Sequence, residues 1–489
     1  MIRKRKAASV LPDPDDGQHY DTTDSGNALR FINAYGPRLR YVAELGWFVW
    51  DGKRFRHDPS GVRVRRMALS HAIGEYKSIL AAHKDEDKAY DDPEVRKFRG
   101  NKMIHRIRAM IDATRSHGVV HAEAGDFDRN PDLINVLNGT LNLRTGDLLA
   151  HNPAHLITKL ANVEYQPDAK CPAFEAFLQR AIPGGQDVID YLQRYSGYTL
   201  CGETIERCFL VLHGSGANGK STLLGVWSDI LGDYAVDCPI EVFLKEKHDL
   251  HRTYIVRLRG ARLVISSETE EGKVIRAARV KLMTGEDDVT GNLMARDPIT
   301  FRPVMKLIMG VNYLPEIHDL GDGMWDRIRS IQDWPRIEAS ERNRRIRSEL
   351  LAERAGIFAW MVRGYRAWRE GSKAGHSGLA EPQFVLDDIA RYRKSMDAMN
   401  GFFSSRLVVN ADGRVERDAM RLAYIAFCQT EGRAALSPKA FNAWMRTRRK
   451  LDLRHNTVDG VTTYYWVGVN LRDDEPTSST SSPSQGKDD

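Results

Sequence analysis

Apolar positions along the chain follow two periods in turn, and the changes of period divide it into segments. Residues 1–26 show neither period; they are polar and charged and close in Thr23-Asp24-Ser25-Gly26, which reads as a flexible leader. Short aromatic, β-rich runs begin at Tyr41, with Trp47-Phe48-Val49-Trp50 entering Asp51-Gly52, a two-residue hairpin signal, and then Arg54-Phe55. A helical stretch rich in Arg and Lys occupies roughly 62–114. A second β segment starts at Leu133-Ile134-Asn135-Val136-Leu137, turns at Asn138-Gly139, and returns through Thr140-Leu141-Asn142-Leu143 to Thr145-Gly146. The pattern predicts an α+β N-terminal domain over 27–172.

Helical spacing returns at Phe174, Phe177 and Leu178 and again at Tyr191, Leu192 and Tyr195, predicting a helical collar or linker over 173–206. Over 207–338 short apolar runs alternate with helical patterns, as a parallel α/β sheet requires. A helical connector is expected over 339–395, then a smaller domain over 396–472 that reads helix, helix, basic helix, β-hairpin. Leu436-Ser437-Pro438 starts the basic helix with a Ser N-cap and Pro at the first helical position. Val458-Asp459-Gly460-Val461 turns into Thr462-Thr463-Tyr464-Tyr465-Trp466-Val467, the strand expected of a wing. Residues 473–489 are low in complexity and expected to be disordered.

Length alters this picture little: 489 residues suit about three domains at roughly 150 residues each. The 42% hydrophobic and 28% charged content is that of a soluble globular chain. No apolar run is long enough to cross a bilayer, and Met1-Ile2-Arg3-Lys4-Arg5-Lys6 is no signal peptide, so no membrane partner and a cytoplasmic location are expected. Cys171, Cys201, Cys208, Cys238 and Cys428 form no CxxC pair and are odd in number, which argues for reduced core thiols rather than a disulfide frame or zinc site. The formal charge of +6 suits a polyanion-binding protein without identifying one.

Candidate chemistry changes the picture most. The buried-strand run Phe209-Leu210-Val211-Leu212-His213 leads into Gly214-Ser215-Gly216-Ala217-Asn218-Gly219-Lys220-Ser221-Thr222, a P-loop at every fixed position, and a helical pattern follows. Gly214, Gly216, Ala217, Asn218, Gly219, Lys220, Ser221 and Thr222 are therefore the candidate ATP ligands, with Lys220 on the β and γ phosphates and the Ser221 hydroxyl on Mg²⁺. The strand Arg262-Leu263-Val264-Ile265-Ser266-Ser267 ends in Glu268-Thr269-Glu270-Glu271. Glu268 is the first choice for the metal-holding and catalytic acid, with Glu270 and Glu271 as alternatives. A third apolar strand, 306–311, ends at Asn312, an amide able to sense the γ-phosphate and orient water. In Trp325-Asp326-Arg327-Ile328-Arg329 the two arginines would point the same way from an extended segment, and one can act as a finger in a neighbouring subunit's site.

Taken in order, the P-loop, the Glu strand, Val280-Lys281-Leu282-Met283-Thr284-Gly285-Glu286-Asp287, Asn312-Tyr313-Leu314-Pro315 and Trp325-Asp326-Arg327 resemble the superfamily 3 helicases, specifically the phage and plasmid primase–helicases related to the poxvirus replication protein. The N-terminal part resembles that family through Trp50-Asp51-Gly52-Lys53, Leu137-Asn138-Gly139 and Cys171-Pro172-Ala173-Phe174. The resemblance implies a multidomain α/β protein with an AAA+-like P-loop ATPase core, an α+β N-terminal domain and a winged-helix-like C-terminal domain. It implies a hexameric DNA helicase of a replicating phage or plasmid-like element, in the host cytoplasm if phage-encoded, using ATP and Mg²⁺ on single-stranded, possibly forked DNA. It assigns Glu268 as acid, Asn312 as sensor, Arg327 as finger, and Arg296, which precedes Asp297-Pro298, to a pore hairpin. Two departures stand out: Asn292 and Leu293 occupy hairpin positions where relatives often carry arginine, and Asp326 takes the first place of the usual double arginine. No primase catalytic domain is evident upstream, so a separate primase or polymerase is an expected partner. Arg446, Arg448, Arg449 and Lys450 on the basic helix are the further DNA-binding candidates. The rival readings are a DNA-binding initiator or packaging ATPase without unwinding, and a small-molecule P-loop kinase, which would need neither finger nor pore arginine.

Overall fold

The computed structural model describes residues 21–83, 90–245, 252–267, 273–291, 298–317, 319, 321–373, 375–396, 398–431, 435, 438–449, 451–458 and 461–472. The chain forms two compact units, Met1–Ile389 and Ala390–Asp489. In the first, a helix spans Asp24–Tyr35, and the Thr23 hydroxyl accepts from the Gly26 amide at 3.2 Å. Thr23 to Gly26 is thus a helix start and not the end of a leader: small polar residues favour loops, but they also cap helices. Strands β1 (Leu39–Val42), β2 (Gly46–Trp50) and β3 (Phe55–Asp58) form an antiparallel sheet in that order. Trp50 pairs with Phe55, so the β2–β3 turn has four residues rather than two. Asp51 closes it by accepting from the Lys53 and Arg54 amides, both at 3.0 Å.

The basic stretch folds as helices Val62–Ala82, Pro93–Asn101 and Ile104–Arg115, which pack with Asp24–Tyr35 around Phe31, Leu39, Trp47, Val64 and Ile107. Strands β4 (Leu133–Val136), β5 (Gly139–Asn142) and β6 (Leu148–Leu149) follow. Val136 pairs with Gly139, which puts the turn at Leu137-Asn138, one residue earlier than expected. Gly139 already belongs to β5, where a side chain would run into the Leu149 carbonyl.

The central sheet comprises β7 (Phe209–His213), β8 (Ala235–Asp237), β9 (Leu263–Ser267), β12 (Lys306–Val311) and β13 (Ile328–Ile331). All are parallel, in the order β13-β7-β12-β9-β8. Between β9 and β12, β10 (Val289–Gly291) pairs antiparallel with β11 (Ile299–Phe301). Helices cover the sheet, which is why β7 reads as an unbroken apolar run: Phe209 to Leu212 are all buried. Helices Pro172–Ala181, Gly185–Tyr198 and Arg354–Ser372 share that core through Phe174, Tyr191, Tyr195, Phe358 and Trp368. The N-terminal strands are pinned to the elements around the central sheet by polar ties. Buried Arg262 donates to the Leu133 and Leu200 carbonyls, the Tyr234 hydroxyl accepts from the Asn135 amide at 3.0 Å, and the Tyr365 hydroxyl donates to Asp132 at 2.8 Å.

The second unit holds helices Ala398–Arg406, Arg417–Thr430 and Pro438–Arg448 and an antiparallel sheet β14-β16-β15, with β14 at Leu407–Glu416, β15 at Asp452–Val458 and β16 at Val461–Leu471. Strand β14 between the first two helices was not expected from the sequence. Its pairing with β16 shifts register between Val409 and Arg414, and Val408 to Asp412 are all exposed, so no two-residue alternation betrays its first half. Ser437, expected to cap Pro438–Arg448, and the turn residues Asp459 and Gly460 lie outside the described residues. All five cysteines are free and buried. Among the described residues no helix is long and apolar enough to cross a membrane.

Candidate nucleotide site

Strand β7 ends at His213, and the chain then folds back on itself. Gly216 (φ +90°), Ala217 (φ +49°) and Gly219 (φ +86°) take left-handed backbone conformations, the kind from which anion-binding loops are built, and the Gly216 amide closes the first turn on the Gly214 carbonyl at 2.9 Å. Alanine is disfavoured in that region, and Ala217 is held there from outside: the Ile337 amide donates to its carbonyl at 2.9 Å. Gly219 abuts Phe177 of helix Pro172–Ala181, and the loop then opens the helix Lys220–Leu231, whose N-terminal end favours an anion.

Lys220 is only 4% exposed, and its Nζ donates to the Gly214 carbonyl at 2.8 Å and to Asn218 Oδ1 at 3.1 Å. Burial pushes its pKa down to about 8. Asn218 is 3% exposed, and its Nδ2 is buried with no acceptor among the described residues; the same holds for Trp334 Nε1, on the segment that packs against Gly214. A buried cation next to buried donors lacking acceptors is a poor way to finish a core and a good way to meet an anion.

Strand register brings the other candidates to this end of the sheet. Gly310 of β12 stands level with Leu212 of β7 and with Ser267 of β9, and the Gly214 amide donates to the Val311 carbonyl at 3.3 Å. Asn312 therefore emerges, exposed, beside the P-loop. Ser267 is the last described residue of β9; Glu268, Glu270 and Glu271 lie outside the described residues, as do Arg296 and Lys450. Ser221 and Thr222 form the first turn of the P-loop helix, Ser221 exposed.

Arg327 occupies the opposite end. It sits in the turn between the short helix Asp322–Trp325 and β13, its carbonyl accepting from the Phe209 amide at 2.8 Å and its Nη1 donating to the Arg207 carbonyl at 3.1 Å. Since β7 runs from Phe209 to His213, Arg327 lies about 15 Å along the sheet from the P-loop of its own chain. The two arginines do not share an extended segment: Arg329 is inside β13 and committed to Glu381, with Nε to Oε1 at 2.5 Å. In the second unit Arg446 is exposed, whereas the Arg449 guanidinium lies 4.0 Å from the Phe403 ring centroid and 5.3 Å from that of Trp444. The Arg448 side chain lies outside the described residues.

Sequence reading missed His213 and Trp334. Burial and then nearby Lys220 push the His213 pKa down, while Asp333 opposes them. Trp334 is more than a hundred residues beyond the loop, and no local pattern marks it as a neighbour of Gly214.

Residues 28–183 match the family model described as D5 N terminal like, and residues 212–327 match a family of unknown function, DUF5906. A protein of Acanthamoeba polyphaga mimivirus named as a helicase is 25% identical over 74% of this chain and 40% of its own length. One of African swine fever virus named as a primase is 24% identical over 69% of this chain and 36% of its own. This chain carries a D5-like N-terminal region and resembles viral proteins named as helicases and primases. A third relative of this D5-like chain, a protein of Invertebrate iridescent virus 3 named as a helicase, is 22% identical over 83% of the chain and 50% of its own length. The chain thus spans half or less of the length of these relatives. The apo structure of the NrS-1 C terminal region aligns over 88% of this chain and 95% of its own, with 10% identity and a TM-score of 0.49.

Proposed function

We propose that this D5-like chain is an ATP-hydrolysing DNA helicase motor that assembles as a ring, most simply a hexamer, and moves along single-stranded DNA. The observation that carries the reading is the sheet order β13-β7-β12-β9-β8, in which the strand ending at Asn312 lies between the P-loop strand and the strand leading to Glu268. That order suits an AAA+-like core, with three chemically distinct groups delivered to one edge.

Lys220, the loop amides and Asn218 Nδ2 bind and orient the triphosphate; the last of these gains there the acceptor it lacks among the described residues. Ser221 and Glu268 would hold magnesium, which would supply neutralisation of the triphosphate charge. Glu268, or Glu271 in its place, takes the proton of the attacking water, which Asn312 orients. Arg327 is too far from its own P-loop to touch that nucleotide, so its role as a finger requires a second subunit. Arg296, in the segment joining β10 and β11, grips the DNA backbone in the channel. The second unit, with its helix–strand–helix–helix–strand–strand order, acts as a winged-helix-like DNA-binding domain through Arg446, Arg448 and Lys450.

Mixing subunits tests the ring. Arg327→Ala and Lys220→Ala chains are each expected to be inactive, and their mixture to recover DNA-stimulated ATP hydrolysis by pairing an intact pocket with an intact finger. No recovery in mixtures shown to co-assemble would refute the trans finger. Arg296→Ala is expected to keep basal hydrolysis and lose both DNA stimulation and unwinding.

A further inference from the structure

The N-terminal part of the first unit contains a cavity of about 680 Å³ that the motor does not use. Its walls come from the β1–β2 hairpin, the start of helix Val62–Ala82 and the end of helix Ile104–Arg115. Three arginines line it. Arg115 is paired with Asp112 at 3.1 Å and lies over the Tyr41 ring, 5.1 Å from its centroid; Tyr41 in turn packs on Trp47 at the same centroid distance. The side chains of Arg65 and Arg108, both exposed, make no hydrogen bond or ion pair with any described residue.

Arg65 is also badly placed for helix stability. It is the fourth residue of Val62–Ala82, follows Arg63 and precedes Arg66 at a helix start, where the helix dipole disfavours cations; the carboxylate there, Asp58, is taken by the Arg63 and Val64 amides at 2.9 and 3.2 Å. Unpaired guanidiniums from two helices, held at a local electrostatic cost and converging on an aromatic wall, match an anion that also carries a flat ring. Glu44, the other acid in the wall, leaves a net positive lining.

We infer that this cavity binds nucleoside phosphate, with Arg65 and Arg108 forking onto phosphate oxygens and the base against the Arg115–Tyr41 stack. Guanidinium forks suit phosphate geometry, and stacking tolerates any base. An acidic peptide would use the arginines and leave the aromatic wall idle. The site is separate from the P-loop, so it is testable whether or not the chain hydrolyses ATP.

The source of the ligand, a DNA strand or a free nucleotide, is resolved on the full chain with ADP saturating the P-loop. Binding of fluorescein-labelled oligothymidylate is measured by anisotropy across a salt series, and binding of dTMP by equilibrium dialysis, for the unaltered chain and for R65A/R108A. If the ligand is a strand, the double variant lowers the slope of log affinity against log salt by about 1.4, two single-strand phosphates at about 0.7 each, while basal ATPase is unchanged. If the ligand is a free nucleotide, dTMP binding is lost and the slope stays. R65K/R108K is expected to recover most of the slope. Unchanged slope together with unchanged dTMP binding overturns the inference, as does competition by polyglutamate equal to that by unlabelled oligothymidylate. Should the double variant fail to fold, photo-crosslinking bromodeoxyuridine-containing oligonucleotide to the unaltered chain decides: an adduct on the peptide containing Tyr41 upholds the site, and adducts confined to other peptides overturn it.

Discussion

Lys220 and Lys306 sit at opposite ends of the same parallel sheet, both buried, and burial pushes both ammonium groups down to about 8. Their surroundings differ in kind. Lys306, the first residue of β12, donates to the Cys201 and Val304 carbonyls at 2.5 and 3.2 Å and lies 4.5 Å from the centroid of the Tyr198 ring. Neighbouring Arg262 is likewise spent on carbonyls. Lys220 has one carbonyl and one amide oxygen, and beside it Asn218 Nδ2 and Trp334 Nε1 have no acceptor among the described residues. A shifted pKa therefore does not distinguish a working lysine from a structural one; what separates them is whether the donors around the charge are already satisfied.

The largest effect expected from that contrast is on hydrolysis. Lys220→Ala should lower ATP turnover by about 10²–10³-fold or more, since it removes a cation aimed at the charge that develops on the transferring phosphoryl group. Lys306→Met, equally buried, should stay within about threefold of the unaltered chain. Steady-state phosphate release measures both, and equal losses in the two variants would erase the distinction. Asn218→Ala should fall between them, at about tenfold to a hundredfold, the range for a hydrogen bond to a charged group. A loss confined to KM would mean that Asn218 holds the nucleotide without assisting the chemistry.

Acidity sharpens the comparison further. A phosphate bound next to Lys220 favours the ammonium, so the folded chain takes up a proton on binding ATP above about pH 8. Affinity should be flat below that point and fall by at most about tenfold per pH unit above it. Calorimetry in buffers of different ionisation enthalpy reads the proton uptake directly; its absence at pH 9 would contradict the placement of the charge.

How much of this was legible beforehand follows from the same physics. The P-loop was readable because its strand, glycines and helix start are contiguous, and the buried parallel strands announced themselves as unbroken apolar runs. The turn at Asp51 is two residues longer than expected and the turn at Leu137 lies one residue earlier, because side-chain capping and the packing of Gly139 against Leu149 decide register there, and neither is a local pattern. Strand β14 hid because its middle is exposed on both faces. Trp334 and Lys306 were invisible as members of opposite sheet ends: one looked like a residue of a connecting segment, the other like the polar start of an apolar strand. The separation of Arg327 from its own P-loop likewise needed the parallel pairing of β13 with β7, which no motif encodes.

The smallest expected effect isolates Lys306 as a structural charge. Its folded pKa of about 8 lies below the ordinary lysine value, so between those two values the unfolded chain binds more protons than the folded one, and stability rises with pH. Below pH 8 the cost of the buried ammonium is fully present; above it the folded form sheds the proton and the cost is relieved. Between pH 7 and 9 this contributes about 1 kcal/mol of added stability. Lys306→Met cannot show that contribution, while Lys220 and the other titrating groups act alike in both chains and cancel in the difference. Urea denaturation of the unaltered chain and of Lys306→Met at the two pH values should therefore diverge, the unaltered chain gaining about 1 kcal/mol more than the variant. If both gain equally, the Lys306 ammonium is better satisfied by the Cys201 and Val304 carbonyls than burial alone suggests, and the N-terminal edge of the sheet carries no latent electrostatic cost.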